Sequence, residues 1–285
     1  MREHDVRPLF LISIFVFIAS TPARPQGRDV YEVYALEYAT SSAYTPVKSI
    51  ALNVTTNDSV LFSFYFWYLK GDNDRRILVD TGFLPDTGKA MTRFKWFERP
   101  DDVLQRIHVS PDDITDVIIT HPHFDHIGCL GLFGKATLWM QKNDYGYYVG
   151  DAWQKGADNR GLDKRGVPML VNANLEGRLN LINGDSVEFI PGIRAFTGSK
   201  HTFESQHLLV NTKAEKVMIA SDDAWFYYNI EHLASITLTF SPEGYTNALR
   251  RMKTLVSNPD LILPGHDSLV MSRFPLIAPG VVKIR

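Results

Sequence analysis

Three observations make this sequence an α/β protein. Short β-branched or aromatic runs alternate with helix-start signatures along most of the chain. At 285 residues and 45% apolar, the chain can bury one large core. No internal repeat, low-complexity tract or long linker divides it, so residues 24–285 are expected to form a single domain. The formal charge of −2 carries no basic footprint, which argues against a nucleic-acid partner.

The elements follow in order. Arg2 and Arg7, the apolar run Leu9 to Ala19 and the small residues Thr21-Pro22-Ala23 have the layout of a secretory signal peptide over residues 1–23. The run is shorter than the roughly 20 residues a bilayer span needs, so no stable membrane span is expected and the mature protein is placed in the periplasm or secreted. Val60 to Leu69 reads as a strand, Gly71 to Asp74 as a turn, and Arg76 to Val79 as the returning strand. Pro100 opens a helix to Ile107, and Ser110-Pro111-Asp112-Asp113 is a second helix start. Strands are expected at Asp116 to Thr120, Ala136 to Met140, Ser186 to Ile190, Ile193 to Thr197, His207 to Asn211, Lys216 to Ala220 and Asp260 to Leu263. Ser241-Pro242-Glu243 caps an amphipathic helix with Leu249, Met252, Leu255 and Val256 on one face, ended at Asn258-Pro259. The polar stretch Asp151 to Gly166 is a surface loop, either solvated or covering a cleft. Cys129, the only cysteine, excludes an internal disulfide and is read as a small buried hydrophobe. The aromatic clusters Phe62 to Tyr68 and Trp225 to Tyr228 read mainly as core, with an apolar cleft as the other reading.

Chemistry concentrates in Thr120-His121-Pro122-His123-Phe124-Asp125-His126, where four potential metal donors fall within six residues directly after a strand. Such a turn can aim His121 and His123 at one position and Asp125 and His126 at a second. Imidazole and carboxylate donors suit zinc, and also iron, manganese or cobalt. The arrangement resembles the metallo-β-lactamase superfamily, whose hallmark is a His-x-His-x-Asp-His run after a strand. The resemblance extends to Asp80-Thr81-Gly82, to His201 after the strand ending at Thr197, to Asp222 after the strand ending at Ala220, and to Pro264-Gly265-His266-Asp267.

The resemblance implies an αββα sandwich of two mixed sheets, with ligands on loops along one edge. It implies two divalent metal ions: His121, His123 and His201 on one, Asp125, His126 and His266 on the other, and Asp222 between them. Asp80 would brace the metal loop from behind, and Asp223 is the rival of Asp222. His207 and His232 are read as structural. Two such cations lower the pKa of a shared water and polarise a carbonyl, while Asp125 can pass a proton to the leaving group. Asp125 and Asp222 are thus the residues expected to carry the chemistry.

Within the superfamily the segments look most like the acyl-homoserine lactonase branch, which implies a small lactone or ester as substrate. An iron-dependent persulfide dioxygenase or a glyoxalase-type thioesterase is the alternative, and a homodimer stays open. Two departures stand out. The branch usually has Gly-His-Thr-Pro-Gly at its middle ligand, where this chain has Lys200-His201-Thr202-Phe203-Glu204. It also tends to carry a tyrosine three residues after the bridging aspartate, where this chain has Trp225. Trp225, Tyr227, Tyr228 and Phe203 are the expected substrate-pocket residues, with Tyr227 or Tyr228 standing in for that tyrosine.

Overall fold

A computed structural model of the chain describes Met1 and residues 29–72, 74–84 and 93–285. The expected leader beyond Met1, and Asn73 of the expected turn, lie outside the described residues.

Among the described residues one sheet has nine strands: β1 (Tyr31–Pro46), β2 (Ser59–Gly71), β3 (Arg76–Val79), β4 (Phe94–Phe97), β5 (Asp116–Ile118), β6 (Thr137–Gln141), β7 (Leu179–Ile182), and, from the C-terminal segment, β13 (Leu276–Ala278) and β14 (Val281–Lys283). The other holds β8 (Val187–Ile190), β9 (Ile193–Phe196), β10 (His207–Val210), β11 (Val217–Ser221) and β12 (Ile262–Pro264). Both are mixed. The β1–β2–β3 run is antiparallel and β3–β5–β6–β7 parallel, while β11 pairs in parallel with β12 and antiparallel with β10.

Period-two alternation sorts the side chains of the first sheet between two cores. Tyr65, Trp67 and Leu69 of β2 face the second sheet together with Ile77 and Val79 of β3. Phe66, Tyr68 and Leu78 face the opposite way, onto α1 (Pro100–Gln105), α3 (Lys142–Val149) and α4 (Gly166–Leu175). The strands β10 and β11 are buried throughout, packed between the first sheet and the apolar faces of α5 (Tyr227–His232) and α6 (Pro242–Leu255). Two short helices complete the set: α2 (Phe124–Ile127) holds the second half of the motif, and α7 (Val270–Arg273) follows the last expected ligand. The layers are therefore αββα, as the resemblance implied.

The differences from the sequence reading are local. The Ser110 signature forms one 3-10 turn over Pro111–Asp113, because β5 begins at Asp116 and takes the chain before a helix can extend. Its cap is present all the same, since Asp113 accepts hydrogen bonds from both the N–H and the Oγ of Ser110 (2.9 and 3.0 Å). The longest strand, β1, was not expected. Its register shifts at Glu37/Ala39 and Thr40/Tyr44 interrupt the alternation that would reveal it. Among the described residues no helix is long and apolar enough to cross a membrane.

What this architecture does for a site is to bring strand ends together. Asp80, the histidine motif, the His201 loop, Asp222 and His266 follow the C-terminal ends of β3, β5, β9, β11 and β12, respectively.

Candidate metal centre

The histidine motif leaves β5 at Ile119 and is turned inward by Asp80. That carboxylate accepts the Thr120 N–H (2.8 Å), the Thr120 hydroxyl (2.7 Å), the Ser221 hydroxyl (3.2 Å) and the Nδ1–H of His126 (2.8 Å). Asp80 sits at φ 63° and Ser221 at φ 48°, left-handed conformations that cost a non-glycine residue about 1–2 kcal/mol. The turn back is α2, so Asp125 and His126 follow His123 within one helical turn.

Two buried donor groups result: His121, His123, His201 and Asp222 in one, and Asp125, His126 and His266 in the other. In the first, His123 Nδ1 lies 3.1 Å from His121 Nε2 and 3.0 Å from His201 Nε2. In the second, Asp125 Oδ2 is 3.5 Å from His126 Nε2 and 3.5 Å from His266 Nε2. Asp222 faces both. Its Oδ2 is 3.2 Å from His201 Nε2 and its Oδ1 is 3.3 Å from His126 Nε2 and 3.1 Å from His266 Nε2.

These separations fit cations. Donors around a tetrahedral zinc, with bonds of about 2.0–2.1 Å, stand about 3.3 Å from one another. His126 Nε2 and Asp222 Oδ1 are buried without a hydrogen-bond partner, as expected of atoms aimed at an ion. The opposite ring nitrogens fix the tautomers: His201 Nδ1–H donates to Leu238 O (2.9 Å) and His266 Nδ1–H to Ser63 O (3.0 Å), leaving each Nε2 lone pair inward. Burial keeps His121 well below the ordinary imidazole range and His123 down to about 3, so both rings are neutral donors. At His126 and His266 burial opposes a positive charge, but Asp125 and Asp222 outweigh it and raise the affinity for one.

Two glycines are needed by close approach. A Cβ at Gly265 would run into the Asp222 carboxylate, which explains why glycine precedes His266. Gly161, at φ 77°, would place a Cβ 2.7 Å from His123 Cδ2, and its carbonyl accepts the Phe124 N–H (3.0 Å). The Asp151 to Gly166 loop therefore lies against the first donor group, the cleft-covering reading of that segment.

The His201 loop keeps its turn without a glycine directly before His201. Lys200 itself takes the left-handed conformation (φ 60°), and its carbonyl accepts the Phe240 N–H and the Thr239 hydroxyl (both 2.7 Å). Buried Asp144 accepts the Thr202 hydroxyl (2.8 Å) and the Glu204 N–H (3.0 Å). Asp223 points away from the donor groups and accepts Ser199 Oγ, Ser205 Oγ (2.7 Å) and His207 Nδ1–H (2.8 Å). Asp144 and Asp223 were not foreseen in these roles, since a lone carboxylate gives no sign in sequence of the loop it will hold. His232 is exposed and stacks on Tyr228, while burial pushes the Cys129 thiol up to about 12.

The expected pocket residues divide. Trp225 meets the centre directly, donating from Nε1 to Asp222 Oδ2 (2.7 Å). Phe203 is half-exposed on the rim, stacked on Tyr147 at 4.7 Å. Tyr227 and Tyr228 are corrections. They open α5, which turns them off the centre, so Tyr227 lies beneath the Arg273 guanidinium (3.6 Å) and Tyr228 against His232. The apolar cleft that does adjoin the motif encloses about 480 Å³, lined by Phe83, Phe94, Phe124, Ile127 and Met169 among others. Phe124 stands inside the motif itself, a sequence signal for this cleft that the donors around it obscured.

The profile of the Metallo-beta-lactamase superfamily matches residues 61–266, and the chain belongs to that family. Its relatives include an N-acyl homoserine lactonase of Bacillus thuringiensis, 24% identical over 259 residues that cover 85% of this chain and 91% of the relative. Another, from Bacillus sp, is 25% identical over 76% of this chain and 87% of its own length. Among solved structures, a quorum-quenching N-acyl homoserine lactone lactonase superposes with a TM-score of 0.68 at 23% identity, covering 87% of this chain and 97% of that one. AidC, a dizinc quorum-quenching lactonase, superposes at 0.61 with 14% identity, over 90% of this chain and 97% of that one. At these identities the structural likeness speaks for the fold.

Proposed function

We propose that this chain, a metal-dependent hydrolase by family and site, opens the lactone ring of a small molecule carrying an apolar acyl tail, of the N-acyl homoserine lactone class. The observation that carries the reading is the pair of buried donor groups joined by the Asp222 carboxylate. His121, His123 and His201 would hold one divalent cation, Asp125, His126 and His266 the other, and the donor chemistry suits zinc. Bound there, the two cations supply a hydroxide nucleophile at neutral pH and polarise the carbonyl under attack.

The protein's own groups do the rest. Asp125, with its side chain only 8% exposed, is placed to carry a proton to the alkoxide released when the ring opens. A run of packed aromatic rings links the wall of the apolar cleft to the donor His266. Phe64 lies 5.0 Å from His266 and 5.8 Å from Phe83, and Phe83 lies 5.4 Å from Phe124. An acyl tail laid along this wall leaves its lactone carbonyl toward the donors, and the naming of the relatives supports the same substrate class. The leader-like segment at Arg2 to Ala23 supports a working place in the periplasm or outside the cell.

The test is elemental analysis of the mature protein beside turnover of lactones, thioesters and β-lactams. Two ions per chain with lactone opening, reduced about 10²–10⁴-fold by Asp125→Asn, is the expected result. One iron per chain with oxygen uptake would replace the reading with the dioxygenase alternative.

A further inference from the structure

Asp222 has more to do than any other donor, because one carboxylate must present its two oxygens to two groups at once. Oδ1 faces His126 and His266, while Oδ2 faces His201 at 3.2 Å and His121 at 3.7 Å and also lies 3.2 Å from His266. The terminal torsion of an aspartate is broad and soft. Left to itself, the carboxylate would rotate and take both oxygens off their positions together.

Among the described residues the indole Nε1–H of Trp225, 2.7 Å from Oδ2, opposes that rotation. The indole is held from several sides. Its backbone N–H donates to the buried Tyr245 oxygen (3.1 Å) and its carbonyl accepts the His266 N–H (2.9 Å). Its ring meets His201 at 5.9 Å, His266 at 6.1 Å and Phe62 at 5.7 Å, so it wedges between imidazoles of both donor groups. Indole nitrogen is a donor only, so Trp225 can grip an anion but cannot ligate a cation. A donor on Oδ2 also withdraws electron density from it, which weakens that oxygen as a ligand. Groups that orient metal ligands nevertheless change metal affinity about 10–100-fold in the favourable direction, so orientation is the larger effect.

We propose that Trp225 is a positioning residue for the metal pair, its N–H setting the orientation of the bridging carboxylate and thereby how tightly the second of the two cations is held. The inference rests on the dinuclear reading above. It also means that the N–H is already engaged and is not free to bind a substrate carbonyl, so this position acts on the bridge rather than on the lactone.

Two substitutions separate the hydrogen bond from the packing. Trp225→Phe keeps an aromatic ring and removes the N–H. Trp225→Gln removes the ring and restores an N–H at the same number of bonds from Cα. Metal-stripped wild type and both variants are titrated with zinc against a chelator, and with cobalt(II) followed by its visible absorption. The expected result is two ions for wild type and, for Trp225→Phe, one ion at wild-type affinity with the other about 10–100-fold weaker. Trp225→Gln should recover most of that loss. Binding of both ions by Trp225→Phe within twofold of wild type would overturn the proposal, as would a Trp225→Gln variant no better than Trp225→Phe. A wild type that takes fewer than two ions would overturn the dinuclear reading together with this one, and because it is titrated in parallel, that failure is distinct from the failure of Trp225 alone.

Discussion

The loop after β5 and the loop after β9 both deliver histidines to the centre, by different means. The first carries four donors in six residues; the buried Asp80 carboxylate turns it inward, while the Tyr38 hydroxyl and the N–H and hydroxyl of Thr81 hold the Asp125 and His126 carbonyls. The second carries His201 alone. Its course is set by Asp144, Asp223 and the Leu238 carbonyl, none of which is near it in sequence. Both loops are tied down by long-range hydrogen bonds, but Asp80 grips a ligand ring directly, whereas Asp144 and Asp223 hold the backbone and hydroxyls around His201.

Breaking the brace should have the largest effect. Asp80→Ala leaves the Thr120 N–H, two hydroxyls and His126 Nδ1–H without their buried acceptor, a loss of about 3–5 kcal/mol. Urea unfolding of the metal-free protein measures it, and zinc affinity should fall about 10–100-fold at the same time. If the motif turned inward by its own local conformation, stability would change by less than about 1 kcal/mol, within the range of ordinary surface substitutions.

The scaffold of the second loop is tested by Asp223→Ala, which strips the acceptor from Ser199, Ser205 and His207. About 3 kcal/mol of stability should be lost, since buried donors are left unpaired. Metal binding should become uneven, with the ion that depends on His201 released about tenfold more readily in chelator competition. Equal weakening of both ions would show that the two loops are not independent.

The smallest effect sharpens the comparison through pH. Burial pushes Asp144 up to about 6, against the hydrogen bonds from Glu204 and Thr202. The folded chain therefore holds a proton on this carboxyl between about pH 4 and 6, where the unfolded chain has released it. The stability this contributes is complete below about pH 4 and is lost as pH rises through 6, by about 2–3 kcal/mol. Asp144→Asn keeps a side-chain acceptor and cannot ionise, so it should lack that slope. Parallel urea melts of the metal-free proteins at pH 4.5 and 7 check the difference, and parallel curves would refute it.

Legibility in the sequence followed the same division. His121, His123, Asp125 and His126 could be read because chemically rare residues crowd one strand end, and His201, Asp222 and His266 because they match the strand-end ligand positions that the superfamily resemblance implies. The strand β1 was missed because its register shifts break the alternation, and the short strands β4, β7, β13 and β14 were not foreseen either. Tyr227 and Tyr228 were assigned by their nearness to Asp222 in sequence, but they open α5, which packs them against Arg273 and His232.

The sequence by itself determined the α/β class through its hydrophobic period and marked the His121–His126 cluster through its chemistry, and its resemblance to the superfamily implied the rest of the donor set, because all of these are carried by short segments. Tertiary structure alone decided that Trp225 serves the Asp222 carboxylate and that Asp144 and Asp223 hold the His201 loop. Those roles depend on a few ångströms between residues far apart in the chain, and such distances exist only once the two sheets have packed.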